Sequence, residues 1–321
     1  SVFEESFAFV MSMGDDVDNS RNIYHYEYLL NTNPEFWANS TQVIAIGNHE
    51  NYYFELPEDY TPSSEDVVVD EYNCHLMHYN PPYDPAGQNL KSGAYYSYDY
   101  SGVHFVVLNT NDIDDENKMS QEQIDWLIDD LESNDQKHVV VIMHKGLYTA
   151  GSHAFDEDVI NMRKQLPPIF EQYGVNLVLN GHDHTYSLSY YMDGEGNIIE
   201  DATHEFQDGR LKIGDKGTLY VTFSTVGDKY YKWKESDEVD VFFGKEMLKS
   251  MFGKLIYDGE DLYLESYEYN METGDISLMY PSGIGLEETI IIIAVALAAT
   301  LGLSLTLLTI TKTIKKRAKK A

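Results

Sequence analysis

Hydrophobic positions along this chain fall into short runs, many of them β-branched, that stop abruptly at polar clusters. Phe7 to Met13 runs into Gly14-Asp15-Asp16-Val17-Asp18, and Gln42 to Ile46 into Gly47-Asn48-His49-Glu50. His138 to Met143 runs into His144-Lys145-Gly146, and Val175 to Leu179 into Asn180-Gly181-His182-Asp183-His184. Near-continuous apolar runs of this length predict strands buried on both faces. In sheets of such strands, ligand sites gather at the carboxyl ends.

Other periodicities supply the rest of an α/β fold. Ser120 and Gln123 form a capping box ahead of Ile124, Leu127, Ile128 and Leu131, whose spacing predicts an amphipathic helix. Arg21 to Leu30 is a second helix candidate. Asp158 to Tyr173 is a third, split at Pro167-Pro168 and stopped by Gly174. Ala94 to Asn109 alternates and turns at Ser101-Gly102, Thr218 to Phe223 is a further strand, and Gly253 to Tyr269 makes a hairpin about Asp258-Gly259. Two mixed sheets flanked by helices, a four-layer α-β-β-α sandwich, accommodate all of these. No repeat or clear linker interrupts them, so residues 1–285 are expected to form one domain.

The pattern changes at the C-terminus. Thr289 to Ile310 carries no charge, about the 20 residues that cross a bilayer. Residues 286–311 are therefore expected to form a transmembrane helix. Lys312, Lys315, Lys316, Arg317, Lys319 and Lys320 follow, making 312–321 a basic cytoplasmic tail and placing the domain at the cell surface, outside the membrane. Tyr280-Pro281-Ser282-Gly283 loosely resembles a cell-wall sorting signal but lacks its Leu-Pro-x-Thr-Gly, which favours a simple anchor. Ser1 to Met13 has no basic n-region, so an export signal is expected upstream of Ser1.

Composition narrows the partners. The formal net charge is −32, which disfavours nucleic acid and anionic lipid as non-specific partners. A phosphorylated substrate would be repelled at long range unless metal cations reversed the sign locally. The single cysteine, Cys74, excludes an intramolecular disulfide and reads as a neutral thiol. Most of the 26 tyrosines lie in strand-like stretches, where aromatic rings pack on a pleated surface.

Together the four polar clusters offer Asp15, Asn48, His144, His182 and His184. This mixed oxygen and nitrogen set suits zinc, iron or manganese rather than calcium. Three histidines and an amide crowd one ion that must also take substrate. Two metal ions about 3.5 to 4 Å apart, bridged by a carboxylate, match the number of donors better.

The motifs Gly14-Asp15-x-x-Asp18, Gly47-Asn48-His49-Glu50, His144 and Gly181-His182-Asp183-His184 resemble those of the calcineurin-like metallophosphoesterases. Gly93-Ala94-Tyr95-Tyr96-Ser97-Tyr98, Val103 to Asn109 and Lys216 to Tyr220 look like the bacterial purple acid phosphatase-type branch, over about residues 7–280. The resemblance implies that Asp15 bridges two metal ions, that Asn48, His144 and His182 complete one site, and that His184 serves the other. It implies in-line attack by a metal-bridging hydroxide on a phosphate monoester. His49 would be the acid, with Glu50 orienting it or simply solvated, and His153 would contact phosphate. His25, His75, His78, His104, His138 and His204 have no such support and read as structural or surface residues.

Two departures from the family pattern stand out. No aspartate precedes Asp15, so the first metal motif, with a fibronectin-like domain as in relatives, is expected upstream of Ser1. Asp18 stands where purple acid phosphatases carry a tyrosine ligand. The same motifs admit a nucleotidase or phosphodiesterase, and the missing carboxylate admits a non-catalytic surface-binding protein that keeps the fold.

Overall fold

The runs at His138–Met143 and Leu177–Asn180 become the centre of a seven-stranded mixed sheet. The computed structural model describes residues 7–20, 22–50, 94–234, 241–245 and 249–280. In chain order the strands are β1 (Val10–Ser12), β2 (Gln42–Ile44), β3 (Tyr96–Tyr100), β4 (Val103–Leu108), β5 (His138–Met143), β6 (Leu177–Asn180) and β7 (Tyr186–Met192). They continue as β8 (Glu205–Gln207), β9 (Arg210–Ile213), β10 (Thr218–Thr222), β11 (Val241–Lys245), β12 (Ser250–Tyr257), β13 (Leu262–Tyr269) and β14 (Ile276–Leu278). The helices are α1 (Ile23–Thr32), α2 (Pro34–Asn39), α3 (Gln121–Ser133), α4 (Glu157–Gln165) and α5 (Pro167–Gln172).

The large sheet has the order β11-β7-β10-β6-β5-β4-β3, with β4, β5, β6 and β10 parallel. Every residue of β4, β5, β6 and β10 is buried, as continuous apolar runs require. A second sheet, β12-β13-β9-β8 with β14 on β13, lies across one face. Phe105, Val140 and Leu177 on that face share a core with Leu211, Met251 and Leu264 of the second sheet. On the opposite face Val106, Val141 and Val178 pack with Ile124 and Leu127 of α3, Met162 of α4 and Phe170 of α5. Packing among the described residues thus defines three of the four expected layers.

Three details refine the expected elements. β1 and β2 form a parallel pair of their own, and both are only partly buried. The Tyr96 hydroxyl ties this pair to the large sheet, accepting from Ile44 N–H at 3.1 Å and donating to the Ile44 carbonyl at 3.2 Å. The third predicted helix is indeed two, because Pro167 and Pro168 have no N–H to continue the ladder. Ser120 caps α3 as expected. The Gln123 side chain turns inward instead and pairs with the Asn109 backbone, accepting at 2.8 Å and donating at 3.0 Å. Cys74, His75 and His78 and the apolar span Thr289 to Ile310 lie outside the described residues; among those described, no helix is long and apolar enough to cross a membrane.

The sheet edge is held by a charged clasp. The buried ring of His104 on β4 lies 2.7 Å from Asp99 Oδ1 on β3 and 2.9 Å from Asp130 Oδ2 on α3, and the Ser97 hydroxyl donates to Asp130 Oδ1 at 2.5 Å. Burial opposes the imidazolium, but the two carboxylates outweigh it and raise the His104 pKa. A folded pKa above the unfolded value means stabilisation that is complete below about pH 6.5 and is lost as pH rises through the folded value. His104→Gln should therefore cost about 2 kcal/mol in urea unfolding at pH 5.5 and markedly less at pH 9. An equal cost at both pH values would mean that His104 is uncharged in the clasp.

Candidate metal centre

The polar clusters meet because glycines let their backbones touch. Gly14 has φ +88°, and a Cβ there would stand 2.4 Å from Gly47 N; a Cβ on Gly47 would stand 2.2 Å from Asp15 Oδ1. Glu50 locks the crossing. Its fully buried carboxylate accepts from the N–H groups of Asp15 at 2.7 Å, Gly47 at 2.8 Å and Val17 at 3.1 Å. Burial, with the nearby Asp16 and Asp15 charges, pushes the Glu50 pKa up to about 7 despite those bonds. From β4's end, Asn111 donates to the Ile46 and Gly47 carbonyls at 3.1 Å, so the Gln123-anchored loop also braces this crossing.

Asp15 and His182 both occupy the left-handed region, at φ +60° and +66°. Residues other than glycine adopt it at some cost, and functional sites are where such cost recurs. The register of β5 with β6 pairs Met143 with Asn180, which brings His144 and His182 side by side just past the strand ends.

His144 is fully buried, and its Nδ1–H donates to the Met13 carbonyl at 2.6 Å. In the neutral ring Nε2 is then a lone pair. Around it stand Asn48 Oδ1 at 3.0 Å, His182 Nδ1 at 3.1 Å and Asp15 Oδ2 at 3.2 Å. Asp15, His144 and His182 can all offer donor atoms to one ion. Only a proton or a cation among these atoms relieves so many converging acceptors. The titration directions express the first alternative. For both His144 and Asp15 burial opposes the charged form, yet their mutual attraction outweighs it, so the His144 pKa rises and that of Asp15 falls. Burial, followed by the positive charge of His144, pushes His182 down to about 2. The donor set fits the second alternative equally: one carboxylate, one amide oxygen and two imidazoles, spaced as ligands of one transition-metal ion would be.

The remaining predicted residues surround this group without joining it. His184 donates from Nδ1 to the Lys229 carbonyl at 2.6 Å, which leaves Nε2 as its available donor atom, and its ring stacks on Tyr231 at 4.5 Å and 11°. Burial lowers its pKa. His49 donates from Nδ1 to the Asp18 carbonyl at 2.7 Å, with Nε2 4.0 Å from Asp15 Oδ2, while the His49 N–H donates to Asp15 Oδ1 at 2.9 Å. His153 has its ring centroid 4.2 Å from that of His182 and its Nδ1 2.7 Å from Asp156 Oδ2.

Glu50 corrects the sequence reading most clearly. It is not solvated but fully buried, the brace of two backbone turns. Sequence reasoning also missed Asp156, Asn111, Tyr231 and the carbonyls of Met13, Asp18 and Lys229. A carboxylate three residues after His153 was a usable signal for Asp156; a carbonyl has none.

Residues 2–186, more than half of the chain, match the family model described as calcineurin-like phosphoesterase. Purple acid phosphatase 22 of Arabidopsis thaliana is 28% identical over 220 residues, which cover 66% of this chain and 44% of that one. Purple acid phosphatase 18 of the same plant is 28% identical over 147 residues, covering 45% and 30%. A purple acid phosphatase from yellow lupin (Lupinus luteus) seeds shares the fold, with a TM-score of 0.66 and 18% identity over 86% of this chain and 46% of that chain. The chain thus spans less than half the length of each of these relatives.

Removing the Glu50 brace should loosen the centre before it unfolds the protein. Glu50→Gln keeps one acceptor oxygen and sets an NH2 group against backbone N–H donors, so we expect a loss of about 2 to 3 kcal/mol. Metal content after dialysis against zinc or manganese should fall with it. Wild-type metal content in a destabilised Glu50→Gln protein would show that the brace does not position the centre.

Proposed function

Because the chain belongs to the calcineurin-like phosphoesterase family, we propose that it is a metal-dependent phosphatase of purple acid phosphatase type that hydrolyses phosphate monoesters. The observation that carries this reading is the convergence of Asp15 Oδ2, Asn48 Oδ1 and His182 Nδ1 within 3.2 Å of His144 Nε2. Asp15, Asn48, His144 and His182 would hold one ion, and His184 with Asp15 would serve a second; iron, zinc and manganese all suit these ligands. Two such ions, when bound, supply Lewis acidity toward phosphoryl oxygens and lower the pKa of water.

The chain's own residues supply orientation and proton transfer. Met13 and Lys229 carbonyls hold the Nδ1 atoms of His144 and His184, so Nε2 is the atom each ring has available as a ligand. The Asp18 carbonyl holds His49 at Nδ1, and the Asp18 carboxylate stands 3.6 Å from the same atom. His49 Nε2 is left facing the centre, where it protonates the leaving oxygen. His153, held at Nδ1 by Asp156, offers Nε2 to a phosphate oxygen.

We further propose that Thr289 to Ile310 anchors this domain to a membrane, with the basic residues after it on the cytoplasmic side; the support is its uncharged composition and the charge asymmetry around it. Alkaline carbonate extraction of membranes from expressing cells should leave the protein in the pellet, and release into the supernatant would remove the anchor.

Full-length protein loaded with metal should hydrolyse p-nitrophenyl phosphate and not its bis-ester; the reverse preference would identify a phosphodiesterase. His49→Ala should keep its metal and lose roughly 100-fold or more in kcat, whereas Asp15→Ala should lose metal and activity together. Metal loss in His49→Ala would overturn the assignment of His49 as the acid.

A further inference from the structure

The two candidate metal ligands after β6 enclose an acidic residue that the centre does not use. Asp183 lies between His182 and His184, and only 1% of it is exposed. A carboxylate buried to this degree is costly unless it is bonded, so its partner identifies its task. Its Oδ1 accepts from the His153 N–H at 3.1 Å, a contact between residues 30 apart in the chain.

His153 sits on the loop between β5 and α4, the same loop that begins with His144. Side chains reaching in from other elements set the course of this loop. Arg163 on α4 donates to the Leu147 carbonyl at 2.5 Å and to the Ala154 carbonyl at 2.6 Å, and the Ala150 N–H donates to Ser187 Oγ on β7 at 3.0 Å. Asp183 fastens the stretch next to His153. Gly151 permits the approach, since a Cβ there would stand 2.1 Å from Asp183 Cγ.

The ring of His153 is fixed separately. Asp156 Oδ2 stands 2.7 Å from its Nδ1, and its centroid lies 4.2 Å from that of His182. Asp156 therefore acts on the ring from three residues away, whereas Asp183 ties the His153 backbone to the segment that carries His182 and His184. Ring orientation and backbone position are set by different carboxylates.

We propose that Asp183 is a positioning residue that couples the candidate metal ligands to the phosphate-contacting histidine. A displacement of the His182–His184 segment carries His153 with it, so the ions and the phosphate contact keep one spacing. This inference rests on the phosphatase reading, which gives the placement of His153 its purpose. Asp183 itself acts through the His153 N–H and touches no substrate atom.

Calorimetric titration of inorganic phosphate into metal-loaded full-length protein, with p-nitrophenyl phosphate kinetics on the same samples, tests the coupling. Asp183→Ala should keep its metal and weaken phosphate binding about tenfold, with KM rising by a similar factor and kcat changing less than about twofold. Asp183→Asn retains an acceptor oxygen and should restore both. In a His153→Ala background Asp183→Ala should add less than about twofold, because the two substitutions remove one shared contact. Equal effects with and without His153 would overturn the proposal, as would metal loss in Asp183→Ala, which would make Asp183 a support of the ligands themselves. Should Asp183→Ala fail to fold, Gly151→Ala makes the same comparison from the other side of the contact: a weakening that disappears in the His153→Ala background upholds the coupling, and one that persists removes it. If wild-type protein binds phosphate but hydrolyses no ester, the phosphatase reading fails alone and the phosphate titrations still decide the role of Asp183. If it binds no phosphate, the coupling falls as well.

Discussion

Four acceptor atoms aimed at one buried point are the constraint on which the site depends. Asp15 Oδ2, Asn48 Oδ1, His144 Nε2 and His182 Nδ1 would repel one another without a proton or cation among them. The surrounding structure keeps them from relaxing apart. Gly14 and Gly47 permit backbone contact, Glu50 ties three N–H groups across it, and β5–β6 register sets the two histidines abreast. Left-handed backbone at Asp15 and His182 is the local conformational cost of that arrangement.

The two cores explain why such an arrangement is stable. The large sheet is packed on both faces, against helices α3 to α5 on one and against the second sheet on the other. Its parallel strands end together, so loops from β5, β6 and β10 share one rim with those from β1 and β2. The candidate ligands are concentrated at that rim, above a body of buried apolar runs. Tyr96, reaching from β3 to the Ile44 backbone, extends the same rigidity to the β1–β2 pair that carries Asp15 and Asn48.

Electrostatics divides the molecule into two regimes. Most of the surface is acidic, and several exposed lysines are neutralised by neighbouring carboxylates. The rim differs, since it gathers the imidazoles of His144, His153 and His182 around Asp15 and Asp156.

Much of this was legible in the chain before folding. Apolar runs of the strand type, each ending in Asp, Asn or His, identify the strands and nominate Asp15, Asn48, His144, His182 and His184, because burial and metal ligation both restrict residue type. The proline pair splitting α4 from α5 is equally local. Tertiary structure alone decided which donor atoms meet, that Glu50 braces backbone rather than facing solvent, and that Gln123 turns inward to the Asn109 backbone. It also decided which nitrogen each histidine presents, through the carbonyls of Met13, Asp18 and Lys229. Every residue has a carbonyl, so composition and periodicity hold no trace of which ones will be used; only the path of the folded chain selects them.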